Sequence, residues 1–172
     1  MKTTLLSVSL ALFTVSASLL AESSVQLSGV HLCCRSCVTG AEKAVAKVSG
    51  ATATVDSSAG TVLIKAPDAA AAQKAVNSLV DAGYYGTSAD SAIKPKSTSS
   101  AGSPKTSKLV LKEVHLCCGK CVKAVKDAVG SVKGVTGDTA SKGAKTFEVT
   151  GDFAPAEVFA ALGKAGLSGK AE

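Results

Sequence analysis

The chain contains no tryptophan and one methionine, and aromatic residues make up only 3 % of its 172 residues. A surface that stacks rings on nucleobases or sugars has little to draw on. Paired carboxylates, a glycine-rich phosphate loop and a nucleophile elbow are also missing, so no catalytic machinery is legible and the chain reads as a non-enzyme. Charge gives no single-signed face either. The formal net charge is +6, distributed as +1 over residues 1–21, −1 over 22–92, +4 over 93–108 and +2 over 109–172. The excess lies mostly in one short stretch, with no basic patch interleaved with aromatics, which argues against a nucleic-acid partner.

Cysteine and histidine are absent from nearly the whole chain and concentrated in two places. All 6 cysteines and both histidines lie in "VHLCCRSC", residues 30–37, and "VHLCCGKC", residues 114–121. The repeat implies two units of about 65 to 75 residues each, small enough to need an economical apolar core.

The N-terminal "MKTTLLSVSLALFTVSASLLAESS" has one lysine, an apolar run broken by Ser and Thr, and then small residues. It reads as a secretory signal, residues 1–21, cleaved after Ala21 or Ala17. The expectation is an exported protein, periplasmic or secreted, that is not an integral membrane protein once the leader is removed. Thiols in such a compartment are exposed to oxidation unless something occupies or reduces them. Four spans result: the leader (1–21), a first unit (22–90), a Ser/Lys/Pro-rich linker (91–107) and a second unit (108–172). The linker's composition predicts a flexible tether that lets the units move independently.

Within the first unit, "SVQLSGV" alternates as a half-buried strand does. Val38, Ala41, Val45 and Val48 then recur at helical spacing up to Gly50. "ATATV" and "TVLIKA" flank a turn at Ser57–Gly60. Pro67 and Asp68 open an Ala-rich helix ended by Gly83, and "YYGTSA" supplies a short last strand. The second unit repeats this order with "KLVLKEV", a helix facing Val122, Val125, Val129 and Val132 inward, "VTGDTA", "TFEVTG", and a helix from Pro155 to Leu162 ended by Gly166. A weak strand lies around Leu167–Lys170. The expected fold class is α+β: two ferredoxin-like βαββαβ domains, each with two helices on one face of a four-stranded antiparallel sheet.

Cys34 with Cys37, and Cys118 with Cys121, form Cys-x-x-Cys pairs at the exit of a strand and the start of a helix. That spacing lets both sulfurs converge on one soft ion. The helix N-terminus, with Arg35 or Lys120 beside it, favours the thiolate that binds metal. Two thiolates suit Cu(I) or Hg(II), whereas Zn(II) normally takes four ligands.

A strand, a short loop, Cys-x-x-Cys and a helix inside a βαββαβ unit resemble the heavy-metal-associated domain over residues 24–90 and 108–170. That family includes copper chaperones, modules of copper-transporting ATPases and periplasmic mercury-binding proteins. Its loop reads Gly-Met-x-Cys-x-x-Cys. By this resemblance His31 and His115 stand at the Gly, Leu32 and Leu116 at the Met, and Cys33 and Cys117 at the variable position. Leu for Met conserves volume beneath the loop; His for Gly and the third cysteine are departures. The resemblance implies a soft-metal cargo, Cu(I) first, with Hg(II) or Zn(II) as alternatives, and a metal-transporting ATPase or another metal-binding protein as partner. Zinc-preferring relatives often carry an acidic residue beside the first cysteine, absent here, while an added Cys and His can complete a tetrahedral ion.

Adjacent residues in extended backbone point to opposite faces, so Cys33 and Cys117 are open as ligands, and His31 and His115 read first as strand-end residues that hydrogen-bond the loop. In the family, the helix-ending Gly-Tyr brings a tyrosine near the loop. Gly83 and Tyr84 match it, whereas the second unit has Gly166 and Leu167. The functional expectation is an exported carrier, chaperone or scavenger of soft metal ions. Two tethered sites can also share one ion or raise local metal concentration. The alternatives are thiol–disulfide exchange and disulfides that only staple small domains.

Overall fold

A computed structural model describes residues 22–97 and 104–172; the expected leader and residues 98–103 of the expected linker lie outside the described residues. The first unit runs β1 (Ser23–Ser28), α1 (Arg35–Val45), β2 (Thr52–Asp56), β3 (Thr61–Ala66), α2 (Ala69–Asp81) and β4 (Thr87–Ser88). The second runs β5 (Thr106–Lys112), α3 (Gly119–Gly130), β6 (Val135–Asp138), β7 (Thr146–Phe153), α4 (Pro155–Lys164) and β8 (Lys170–Ala171). The sheets have orders β2-β3-β1-β4 and β6-β7-β5-β8, with every pairing antiparallel. Both are ferredoxin-like βαββαβ arrangements.

Period-two burial makes the strands: Val25 and Leu27 of β1 and Val62, Ile64 and Ala66 of β3 face the core. Asp56 closes the β2–β3 turn by accepting from the Ser58 and Ala59 N–H groups at 2.8 and 3.1 Å. Asp68 caps α2 by accepting from Ala71 N–H at 2.7 Å. Pro155 sits in the first turn of α4, where its missing N–H costs nothing.

Three sequence expectations need correction, and the first concerns the helix faces. The buried face of α1 is Cys37, Ala41, Ala44 and Val45, and that of α3 is Cys121, Val125, Ala128 and Val129. Ala41, Val45, Val125 and Val129 are buried as expected, whereas Val38 and Val122 are only partly buried, because a cysteine behaves as a small hydrophobe and heads each stripe. Val48 and Val132 lie beyond the helix ends.

The expected tether is ordered where it leaves the first unit. Ile93 is buried, Gln73 exchanges two hydrogen bonds with the Lys94 backbone, and Lys96 pairs with Asp81. One isoleucine in a polar stretch is enough to dock it on α2. At the other end, β5 already begins at Thr106.

The units do not stand apart as the linker's composition suggested. Tyr84 and Leu167 form an antiparallel bridge. The N–H groups of His31 and Tyr85 both donate to the Gly166 carbonyl at 3.1 Å, and Ser168 N–H donates to the Gly83 carbonyl at 3.0 Å. The buried Ser168 hydroxyl also reaches the Val80 and Tyr84 carbonyls. Gly83 (φ +91°) and Gly166 (φ +76°) make this approach attainable. A Cβ on Gly83 would lie 2.5 Å from His115 N, and one on Gly166 would lie 2.5 Å from His31 N. The helix-ending glycine of each unit thus abuts the strand exit of the other, and that exit leads into the cysteine loop.

Candidate metal centre

Each loop leaves its first strand and enters its first helix through an extended cysteine, Cys34 (φ −160°) or Cys118 (φ −149°), which is the N-cap of α1 or α3. Cys37 and Cys121 follow in the opening turn and are fully buried. Cys121 packs into the core of the first unit, with Cys117 and Cys118 against it. Leu32 and Leu116 are buried beneath the loops, as their substitution for methionine implied.

Because the units meet at the loops, the six cysteines come together. All are free thiols. Within the first loop, Cys37 Sγ lies 3.7 Å from Cys33 and 3.5 Å from Cys34; within the second, Cys121 lies 3.6 Å from Cys117 and 3.7 Å from Cys118. Across the interface, Cys33 is 3.4 Å from both Cys118 and Cys121. Cys117 is 3.6 Å from Cys34 and 3.5 Å from Cys37, and the two buried sulfurs Cys37 and Cys121 are 3.7 Å apart.

Three groups in this cluster can hold a metal ion, each with ligand atoms within 4.8 Å of one another: Cys37, His115, Cys117 and Cys121; His31, Cys33 and Cys121; and Cys33, Cys34 and Cys118. All eight Cys and His residues singled out from the sequence therefore belong to one centre. The sulfurs of Cys33 and Cys34 lie within 4.8 Å of each other and of Cys118, and both reach sulfurs of the second unit. The sequence allowed two tethered sites to share an ion but carried no signal for which sulfurs would meet.

The protonation of the cluster is divided. Backbone N–H of Cys37, in the opening turn of α1, favours the Cys34 thiolate and lowers its pKa. Backbone N–H of Cys121, followed by the Cys33 thiol, does the same for Cys118, bringing it down to about 6. Burial first, and neighbouring thiols second, push Cys33 and Cys117 well up; Cys121 is raised by burial. Each helix start thus favours one thiolate, Cys34 or Cys118, while burial disfavours the thiolates of Cys33, Cys117 and Cys121.

The histidines differ. Tyr84, fully buried, donates its hydroxyl to the Cys37 carbonyl at 2.9 Å, and the same oxygen lies 3.2 Å from His115 Nε2, with the two rings 4.6 Å apart. Burial raises the tyrosine pKa, so the phenol keeps its proton. His31 Nε2 is buried with no hydrogen-bond partner among the described residues, and burial lowers the pKa of both imidazoles. The side-chain partner of His115 is thus Tyr84 of the first unit rather than its own loop, while the Nε2 of His31 is unengaged among the described residues.

The fold and site together define a two-unit α+β protein with a thiol-rich centre between ferredoxin-like domains. No protein-family model matches the chain, and no curated protein matches it. Among solved structures it is similar to the solution structure of the N-terminal soluble domains of Bacillus subtilis CopA, with 16 % identity, 88 % of this chain and 95 % of that chain covered, and a TM-score of 0.30. At that identity and score, the likeness carries no argument about the cargo of this centre. Among the described residues, no helix is long and apolar enough to cross a membrane.

Proposed function

We propose that this chain is an exported, non-enzymatic protein that binds soft metal ions, Cu(I) before Hg(II) or Zn(II), and carries them to a metal-transporting ATPase or another metal-binding protein, or sequesters them. One observation carries the reading: six free thiols form a continuous cluster with neighbours 3.4 to 3.7 Å apart. Soft thiolates select Cu(I) and similar ions over hard cations. Cys34 and Cys118, half-exposed at the helix starts, supply the entry and exit point for ligand exchange with a partner's thiolates.

The experiment is anaerobic titration of the reduced protein, without its leader, with Cu(I), Hg(II) and Zn(II), read by native mass spectrometry. Retention of Cu(I) or Hg(II), with loss on Cys34→Ser plus Cys118→Ser, is the expected outcome. These positions test binding without opening the core, whereas Cys37 and Cys121 are core residues whose loss also costs stability. Metal entering at Cys33, Cys117 or Cys121 must displace a bound proton, so apparent affinity should rise with pH through the neutral range. No retained metal would refute the proposal.

A second reading, thiol–disulfide exchange, is favoured by the lowered pKa of Cys118. Iodoacetamide labelling of the metal-free protein should reach half its maximal rate at Cys118 near pH 6, since the thiolate appears as pH rises through the pKa of about 6. Rapid oxidation of a dithiol reporter in the absence of metal binding would shift the assignment to that reading.

A further inference from the structure

The sulfur contacts contain two closed triangles that share no atom. One joins Cys34, Cys37 and Cys117 with sides of 3.5, 3.6 and 3.5 Å; the other joins Cys33, Cys118 and Cys121 with sides of 3.4, 3.4 and 3.7 Å. They are equivalent under exchange of the two repeats and together use all six thiols. Two further triangles are closed, Cys37, Cys117 and Cys121 and its counterpart Cys33, Cys37 and Cys121, but each leaves three sulfurs that close no triangle of their own. Two ions in triangles with a common edge would sit only about 2 Å apart, where cations repel strongly. Triangles without a shared sulfur have no common edge to impose this.

Resting on the soft-metal reading above, we propose that the centre holds two ions in crossed three-thiolate sites, Cys34 and Cys37 with Cys117, and Cys118 and Cys121 with Cys33. The third cysteine of each loop serves the pair of the other unit. Cys33 is closer to Cys118 and Cys121, at 3.4 Å, than to Cys37 of its own loop at 3.7 Å. The centre of such a triangle lies about 2.0 Å from each sulfur, so metal–thiolate bonds of about 2.3 Å need the sulfurs to spread by only a few tenths of an ångström. Each sulfur that is still protonated gives up its proton to solvent as the ion enters, and no electron is transferred. Crossing also makes metal a clasp, because each ion bonds to both units and its second attachment is intramolecular.

The test uses the full chain with Cys118→Ser as background, which disables the Cys33/Cys118/Cys121 site and leaves both buried cysteines in place. Cu(I) affinity is measured by competition with a chromophoric chelator, and sulfur neighbours per ion by X-ray absorption. Adding Cys117→Ser should weaken the remaining site by about tenfold or more and reduce three sulfurs to two, while adding Cys33→Ser should leave it unchanged. The reverse pattern would mean that each loop holds its own three sulfurs; no effect of either would mean two-sulfur sites; an equal effect of both would mean a four-sulfur site. Each of these three results overturns crossing. Circular dichroism melts of the variants verify that Ser at these half-exposed positions leaves the fold intact. Failure of the unsubstituted protein to bind Cu(I) is a separate result and defeats the soft-metal reading itself.

Discussion

The two units share a topology and an octapeptide but are not interchangeable at the centre, and one pair of positions explains most of the difference. In the first unit Tyr84 follows the helix-ending glycine, and α1 carries Gly40 where a Cβ would collide with the Tyr84 hydroxyl. In the second, Leu167 and Ala124 hold the equivalent positions. The tyrosine reaches the Cys37 carbonyl and His115 of the opposite loop. The leucine has no hydroxyl, and the Nε2 of His31, the counterpart of His115, has no hydrogen-bond partner among the described residues. A small residue in one helix and a polar tip from the next element must change together, because a hydroxyl enters a packed helix face only where a methyl is missing. Duplication supplied two sulfur loops, and this paired substitution made their surroundings unequal.

The largest expected effect comes from breaking what the units have in common. Gly83→Ala and Gly166→Ala each force a Cβ into the backbone of the opposite strand exit and impose a left-handed conformation on alanine. Each should lower stability by more than about 2 kcal/mol in denaturant melts and open the interface, seen as a larger radius in X-ray scattering. If both melt and radius stay unchanged, the units do not meet as described.

Removing the asymmetry should be next in size. Tyr84→Leu deletes a buried ring and leaves the Cys37 carbonyl and His115 without the phenol, a loss of about 2 to 3 kcal/mol in the same melts. The sharper version transplants the pair. Leu167→Tyr alone should destabilise, because Ala124 fills the space its hydroxyl needs. Leu167→Tyr with Ala124→Gly should recover stability and give His31 a partner, with a coupling of about 1 kcal/mol in a double-mutant cycle. Additive effects would show that the two positions are independent.

The smallest effect belongs to the rim. Lys170 of β8 lies 2.9 Å from Asp81 of the first unit and 2.6 Å from Glu113 of the second, with side chains about two-fifths exposed. Lys170→Ala should cost at most about 1 kcal/mol and lose its effect at high salt, since exposed pairs are screened. An undiminished effect in salt would assign the residue a packing role.

Much of the molecule was legible in order of residues alone. Alternation in β1 and β3, the Asp68 and Pro155 helix starts and the glycine stops are signals spanning a few positions, and they imposed the βαββαβ order on both repeats. Placement of Cys-x-x-Cys at the strand-to-helix junction is likewise local, and so is the thiolate-favouring helix start. Four things were decided only by tertiary structure: the meeting of the loops, the role open to Cys33 and Cys117, the difference between His31 and His115, and the docking of Ile93. Each depends on contacts between residues tens of positions apart, which leave no periodic trace in the chain. Even the face of α1 turned on this, since Cys37 is buried by what packs over it as much as by its place in the helix. The chain by itself determined two thiol loops at two helix starts. Only packing, through two glycines that let the backbones of the units approach, made them a single centre.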